Sequence, residues 1–94
     1  MSQFSFVADE SQINREKQKA RELRATQWWK RRIAKGVCHY CGHRFPLKEL
    51  TMDHIVPISK GGKTTKGNVV VCCKTCNTQK KSTLLMEWDK YLNK

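Results

Sequence analysis

No stretch of this 94-residue chain approaches the roughly 18 consecutive apolar residues that a membrane span requires, so integral membrane function is not expected. Met1 to Glu10 has no basic residue ahead of an apolar run, which argues against a secretory leader at that end. Only 38% of residues are apolar, so a large enzyme with a deep organic-cofactor cleft is excluded and the core must be small and marginal. Acidic residues are also scarce. Eight Asp plus Glu face 19 Lys plus Arg, a formal charge of +11, and such a surplus attracts polyanions. The basic residues run along the whole chain without a strongly lipophilic face beside them, which favours nucleic acid over a membrane surface. There is no internal repeat and no low-complexity run.

What the chain does have is five cysteines. An odd number cannot all pair as disulfides within one molecule, and a small core needs a staple, so metal binding takes the lead. A reducing, cytoplasmic setting is expected, where thiols persist. Composition suggests one domain, 1–94, in four stretches: a loose tail over 1–8, a basic helical extension over 9–36, a cysteine- and histidine-rich core over 37–82, and a C-terminal helix over 83–94. Asp9 to Lys35 lacks Gly and Pro and reads as one long helix, capped by Asp9 or Ser11 and ended by Gly36. Its apolar stripe is fair only in the second half, so its first turns should project with little support. Leu50 to Ile55 and Asn68 to Cys72 read as strands, joined by a loop marked by Gly61, Gly62 and Gly67. A helix is expected to start near Thr75 to Asn77, and Leu84, Leu85, Trp88, Tyr91 and Leu92 stand at helical spacing in the last segment.

Cys38-His39-Tyr40-Cys41 and Cys73-Lys74-Thr75-Cys76 are two CxxC pairs. Each can bend into a knuckle that offers two thiolates, and two knuckles complete the tetrahedral shell of a closed structural zinc site. One zinc ion per chain is expected on Cys38, Cys41, Cys73 and Cys76. A CxxC can also be a redox dithiol, but the βαβ pattern that would accompany one is missing. Cys72 adjoins Cys73 and could replace it; the CxxC spacing favours Cys73 and leaves Cys72 as a small buried strand residue. His39 is expected to face solvent or phosphate. A four-thiolate zinc has no open position, so any catalysis needs a second site.

Between the knuckles lies DHIVPISKGG, and the second knuckle sits in GNVVVCCKTCNTQKK. With CHYCG, these runs resemble the HNH endonucleases, the zinc-stapled branch of the ββα-metal nucleases, over roughly Val37 to Ser82. The resemblance implies an α+β fold, a ββα-metal core with a four-cysteine zinc site flanked by a basic N-terminal helix and a C-terminal helix. It makes Asp53 the first ligand of a catalytic metal, His54 the general base, and Asn68 the brace of the loop that carries the histidine. Asn77 occupies the place where the family name has its last His. Carboxylate and amide oxygens suit Mg²⁺ or Mn²⁺. Lys80, three residues beyond Asn77, can rise along the same helix face and hold a phosphate or stabilise charge.

Arg31, Arg32, Lys35, Arg44, Lys60, Lys63, Lys66 and Lys81 are the candidate contacts to phosphate, a kind of contact that binds without reading bases. Trp28 and Trp29 can stack on bases, but at helical spacing with Ile33 at least one belongs to the core. No base-reading helix is apparent. The expectation is a Mg²⁺- or Mn²⁺-dependent endonuclease acting on double-stranded DNA, with weak sequence selectivity and products bearing 3′-hydroxyl and 5′-phosphate. As a monomer or weak dimer it would nick one strand per encounter. Two alternatives stay open: a noncatalytic zinc-knuckle DNA-binding module, and an accessory protein of a DNA-processing assembly that holds a partner protein through the N-terminal helix.

Overall fold

The computed structural model describes residues 9–81; the tail expected over 1–8 and the C-terminal helix expected over 83–94 lie outside the described residues. The element order is helix α1 (Glu10–Arg24), helix α2 (Gln27–Ala34), strand β1 (Leu50–His54), strand β2 (Val69–Cys73) and helix α3 (Lys74–Lys81), with single 3-10 turns at Leu47–Glu49 and Ile58–Lys60. The class is α+β, and no described helix is long and apolar enough to cross a membrane.

The basic N-terminal segment is helical, but in two pieces rather than one. Asp9 caps α1 by accepting from the Gln12 amide at 2.8 Å, and the Gln12 side chain reaches back to the Asp9 amide. The expected cap at Asp9 is therefore the one formed, within a reciprocal capping box. The helix ends at Ala25 because Thr26 is extended, with its hydroxyl donating to the Leu23 carbonyl at 2.7 Å and accepting the Trp29 amide at 3.2 Å. A threonine used in this way closes one helix and opens the next. The break turns Trp29 inward to 3% exposure, and leaves Trp28 half-buried beside it.

The first turns of α1 do not project unsupported, contrary to expectation. Glu16 and Ala20 are buried. The Glu16 carboxylate accepts the Thr64 amide at 2.6 Å, while the Thr64 hydroxyl donates to the Glu16 carbonyl at 2.9 Å. The expectation failed because the apolar stripe is not what docks α1; a buried acidic side chain is.

β1 and β2 form a two-stranded antiparallel sheet in which Leu50 faces Cys73 and His54 faces Val69. Partners directly opposite share a face, so Thr51 and Asp53 lie with Cys72 and Val70, while Leu50, Met52 and His54 lie with Cys73, Val71 and Val69. α3 begins immediately after β2, one residue before the range expected. The core is Trp29, Cys38, Leu50, Val71, Cys72, Cys73 and Cys76, with Ile33, Phe45 and Met52 packed around it. Cys72 is fully buried.

Four of the seven residues in that cluster are cysteines, so apolar burial alone is thin. The first knuckle is closed by Gly42 donating to the Cys38 carbonyl at 2.9 Å and Cys38 donating to that of His43 at 3.0 Å, with Gly42 at φ +73°. The His39 amide ties this knuckle to the edge of β2 through the Val71 carbonyl at 2.8 Å. The second knuckle straddles the β2–α3 junction, where the Cys76 amide donates to Cys73 Sγ at 3.4 Å. The sulfurs of Cys38, Cys41, Cys73 and Cys76 all lie within 4.8 Å of one another. A tetrahedron of ~2.3 Å Zn–S bonds needs sulfurs about 3.8 Å apart, so the cluster fits a zinc ion with small adjustment. Burial raises the Cys38 thiol, but the amides of Cys41, Cys73 and Tyr40 outweigh it and bring the thiol down to about 7. Burial pushes Cys41 and Cys76 up instead, so without a cation these two thiols resist ionising alongside Cys38.

Two outcomes follow from this architecture. Strong chelation of zinc should unfold the core, because roughly 10–16 kcal/mol of apparent zinc affinity in finger peptides matches the whole stability of a domain of this size; circular dichroism after chelation would show it, and a chain that stays folded with no zinc contradicts the staple. The second outcome concerns acid. The Thr64 amide holds the Glu16 carboxyl below its ordinary value, with Lys19 helping against burial. A depressed folded pKa stabilises above the unfolded value, here 4.5, and that stabilisation fades as pH falls through the folded pKa. The stability gap between zinc-loaded wild type and Glu16→Gln should therefore be full near neutral pH and close in acid below about 4.5. A gap of constant size in denaturation at each pH contradicts the docking role of the charge.

Candidate active site

Asp53 and His54 are the last two residues of β1. Adjacent strand residues point to opposite faces, and here the two faces receive different partners. The Asp53 carboxylate turns toward α3 and the first knuckle: its Oδ2 accepts from Lys80 Nζ at 2.6 Å and from the Tyr40 hydroxyl at 2.6 Å. Lys80 Nζ also donates to the His54 carbonyl at 2.5 Å and to the Tyr40 oxygen at 3.2 Å. With side-chain exposures of 7% for Lys80 and 13% for Asp53, this is an internal ion pair, and removing either partner would strand a buried charge. Burial, followed by the hydrogen bond and charge of Asp53, raises the Tyr40 phenol far above its usual value, so Tyr40 is a proton donor to Asp53 throughout the physiological range.

His54 is half-buried. Its Nε2 lies 2.9 Å from Thr64 Oγ1, and Nδ1 makes no hydrogen bond among the described residues. Burial lowers the imidazole pKa; Asp53 and Glu16 pull it upward, while Lys80 and Arg24 push it further down. The net direction is downward, and the ring is neutral at pH 7.

Asn68 stands just before β2 and clamps the loop that follows His54. Its Oδ1 accepts the Val56 amide at 2.9 Å, and its Nδ2 donates to the Lys63 carbonyl at 2.7 Å and to that of Val56 at 3.2 Å. The Asn68 carbonyl accepts the Ile55 amide at 2.9 Å. One side chain thus joins both ends of the loop between His54 and Thr64. Gly62 allows that loop to close: a Cβ there would lie 1.8 Å from the Val56 carbonyl oxygen, a position no side chain can share.

Asn77 is half-buried on α3, one turn before Lys80 and on the same helix face. Its side chain makes no hydrogen bond among the described residues, and neither does Asp53 Oδ1. Asp53 Oδ1 and the Asn77 side-chain oxygen are thus each left without a protein partner among the described residues, and oxygens of this kind are the donors that suit Mg²⁺ or Mn²⁺.

The cationic residues are placed as follows. Arg31, Arg32, Lys35, Arg44, Lys60, Lys63 and Lys66 are exposed; the side chain of Lys81 lies outside the described set. The Arg32 guanidinium stands 4.8 Å from the Trp28 ring centroid and Lys66 Nζ 5.3 Å from it, so α2 and the glycine loop bring two charges to one indole. Arg44 donates to the Lys35 carbonyl at 3.3 Å. Arg32, Lys35 and the exposed His39 line a shallow cleft of about 160 Å³ with Val37, Val70 and Val71. Lys80, by contrast, is held inside the site by Asp53.

Three residues of this geometry carry no signal in the sequence reading. Tyr40 sits inside a knuckle, where spacing draws attention only to the cysteines. Thr64 is one polar residue in a polar loop. Glu16 is one acid among many charges, and its contact spans 48 residues of chain.

The family model for HNH endonucleases matches residues 38–93. Among curated proteins, the type IV methyl-directed restriction enzyme EcoKMcrA of Escherichia coli strain K12 is 32% identical over 57 residues, covering 54% of this chain. The chain spans only 21% of the length of that relative. The matched region contains both cysteine knuckles, Asp53-His54, Asn68 and Asn77, and the chain belongs to the HNH endonuclease family.

Proposed function

We propose that this chain is a Mg²⁺- or Mn²⁺-dependent nuclease domain that hydrolyses phosphodiester bonds of double-stranded DNA, one strand per encounter, with weak sequence selectivity. The observation that carries the reading is His54: a neutral imidazole, held through Nε2 and unpaired at Nδ1 among the described residues, beside Asp53, whose Oδ1 has no partner among them.

In this reading the oxygen of a water molecule attacks phosphorus while His54 Nδ1 accepts one of its protons. The bond to the 3′ oxygen breaks, the departing oxygen takes a proton from solvent, and the products carry a 3′-hydroxyl and a 5′-phosphate. A divalent ion held by Asp53 and Asn77 would supply charge neutralisation at the phosphate and the leaving oxygen. Asn68 keeps the histidine loop closed. Lys80 orients Asp53 and brings positive charge near the developing anion. Arg31, Arg32, Lys35, Arg44, Lys60, Lys63, Lys66 and Lys81 contact phosphates on either side, as a monomer or weak dimer. The free thiols suit a cytoplasmic setting.

Supercoiled plasmid incubated with the zinc-loaded chain and Mg²⁺ or Mn²⁺ should convert to the nicked form, and EDTA should stop it. His54→Ala should keep zinc, fold and DNA affinity while losing about 10²- to 10⁴-fold in rate; an active His54→Ala protein removes the assigned base. DNA binding should weaken linearly in log–log plots against salt. Each phosphate contact contributes a slope of about 0.9, so the Arg32→Gln/Lys35→Gln double variant should flatten the plot by roughly 2. An unchanged slope places the bound strand elsewhere.

A further inference from the structure

α1 lies outside the region that the family model matches, yet it meets the catalytic histidine through a single intervening residue. Thr64 has one hydroxyl proton, and it goes to the Glu16 carbonyl at 2.9 Å. Toward His54 Nε2, also at 2.9 Å, the same oxygen can then only accept. That contact requires a hydrogen on Nε2, and in a neutral ring it leaves Nδ1 as the bare nitrogen. The Glu16 carboxylate fixes the threonine from the other side by accepting its amide at 2.6 Å. Glu16 is 3% exposed, and its second oxygen is held by Lys19 at 3.3 Å. The two residues together grip one point of the glycine loop at both its amide and its hydroxyl.

We propose that Glu16 and Thr64 are positioning residues for His54, with Glu16 of the N-terminal helix seating Thr64 and Thr64 fixing the imidazole as the Nε2–H tautomer with Nδ1 turned to the substrate. This rests on His54 acting as the base of the nuclease proposed above. The basic extension is then part of the catalytic apparatus as well as a source of charge.

The test uses the zinc-loaded full chain as wild type, Thr64→Val, Thr64→Ser, Glu16→Ala and Glu16→Gln, with His54→Ala to assign the ring signals. Thr64→Val keeps the size of the side chain and the amide contact to Glu16, so it removes the hydroxyl alone. Long-range ¹H–¹⁵N correlation at about pH 8, where the ring is neutral, should show wild-type His54 protonated on Nε2 only. In Thr64→Val and Glu16→Ala the ring should become a mixture of tautomers. In plasmid nicking kcat should fall on the order of 10- to 100-fold, with KM, zinc content and circular dichroism unchanged. Thr64→Ser and Glu16→Gln, which retain the needed acceptors, should recover most of the lost rate. A wild-type ring protonated on Nδ1 overturns the inference, as does a folded Thr64→Val or Glu16→Ala chain with the wild-type ring state and kcat. Active wild type with a ring indifferent to both variants overturns the positioning roles and leaves the nuclease reading standing. A ring that behaves as expected in a chain that never cuts overturns the nuclease reading and leaves the hold on His54 intact.

Discussion

Four sulfur atoms within 4.8 Å of one another are the constraint on which the rest of this small fold depends. They belong to a turn after α2 and to the junction of β2 with α3, segments whose own apolar surface is too small to hold them together. Fixing the second knuckle also fixes where α3 starts, and hence the direction in which Asn77 and Lys80 leave the helix. Fixing the first places Tyr40 against Asp53. The four-thiolate site is thus chemically closed, yet of the two side chains that hold Asp53, Tyr40 sits between two of its cysteines and Lys80 lies on the helix that starts within the second knuckle. Loss of the ion would dissolve the candidate active site along with the core.

Asp53 illustrates how the site manages its charge. One carboxylate oxygen is tied to Lys80 and Tyr40, and the other has no partner among the described residues. A free carboxylate would be mobile and more strongly hydrated; a fully paired one would have nothing left to offer a cation. Lys80 takes one carboxylate oxygen and spans from α3 to the end of β1, holding both Asp53 and the His54 carbonyl. The arrangement ties the end of the strand to the face of the helix through one buried ammonium.

Much of this was readable from residue types and spacing. The two strands, the helix after them and the four-cysteine cluster follow from β-branched runs, glycine punctuation and CxxC spacing, all of which act over a few residues. The break at Thr26 is local too, but threonine at a helix cap looks the same in a sequence as threonine in a helix interior. The burial of Lys80 was out of reach for another reason. A lysine beside a lysine in a basic chain reads as a solvated face, and only the approach of β1 and the first knuckle gives its ammonium three oxygen partners. Tyr40, Thr64 and Glu16 were hidden likewise, since their roles come from contacts 13, 10 and 48 residues away along the chain.

Those distances also separate what the family pattern carries from what this chain adds. Asp53, His54, Asn68 and Asn77 fall within the matched region, where a common backbone can place them. The orientation of the imidazole is a finer requirement, because a ring rotated about its side-chain bonds presents the wrong nitrogen without any change of fold. A loop with glycines at Gly61, Gly62 and Gly67 is flexible by composition and supplies no such rigidity by itself. Asn68 closes it from the strand side, and Glu16 pins it from the helix side through a carboxylate and a carbonyl one side chain apart. Two independent clamps on one short loop hold Thr64 to a single position, and Thr64 in turn gives His54 a single way to face.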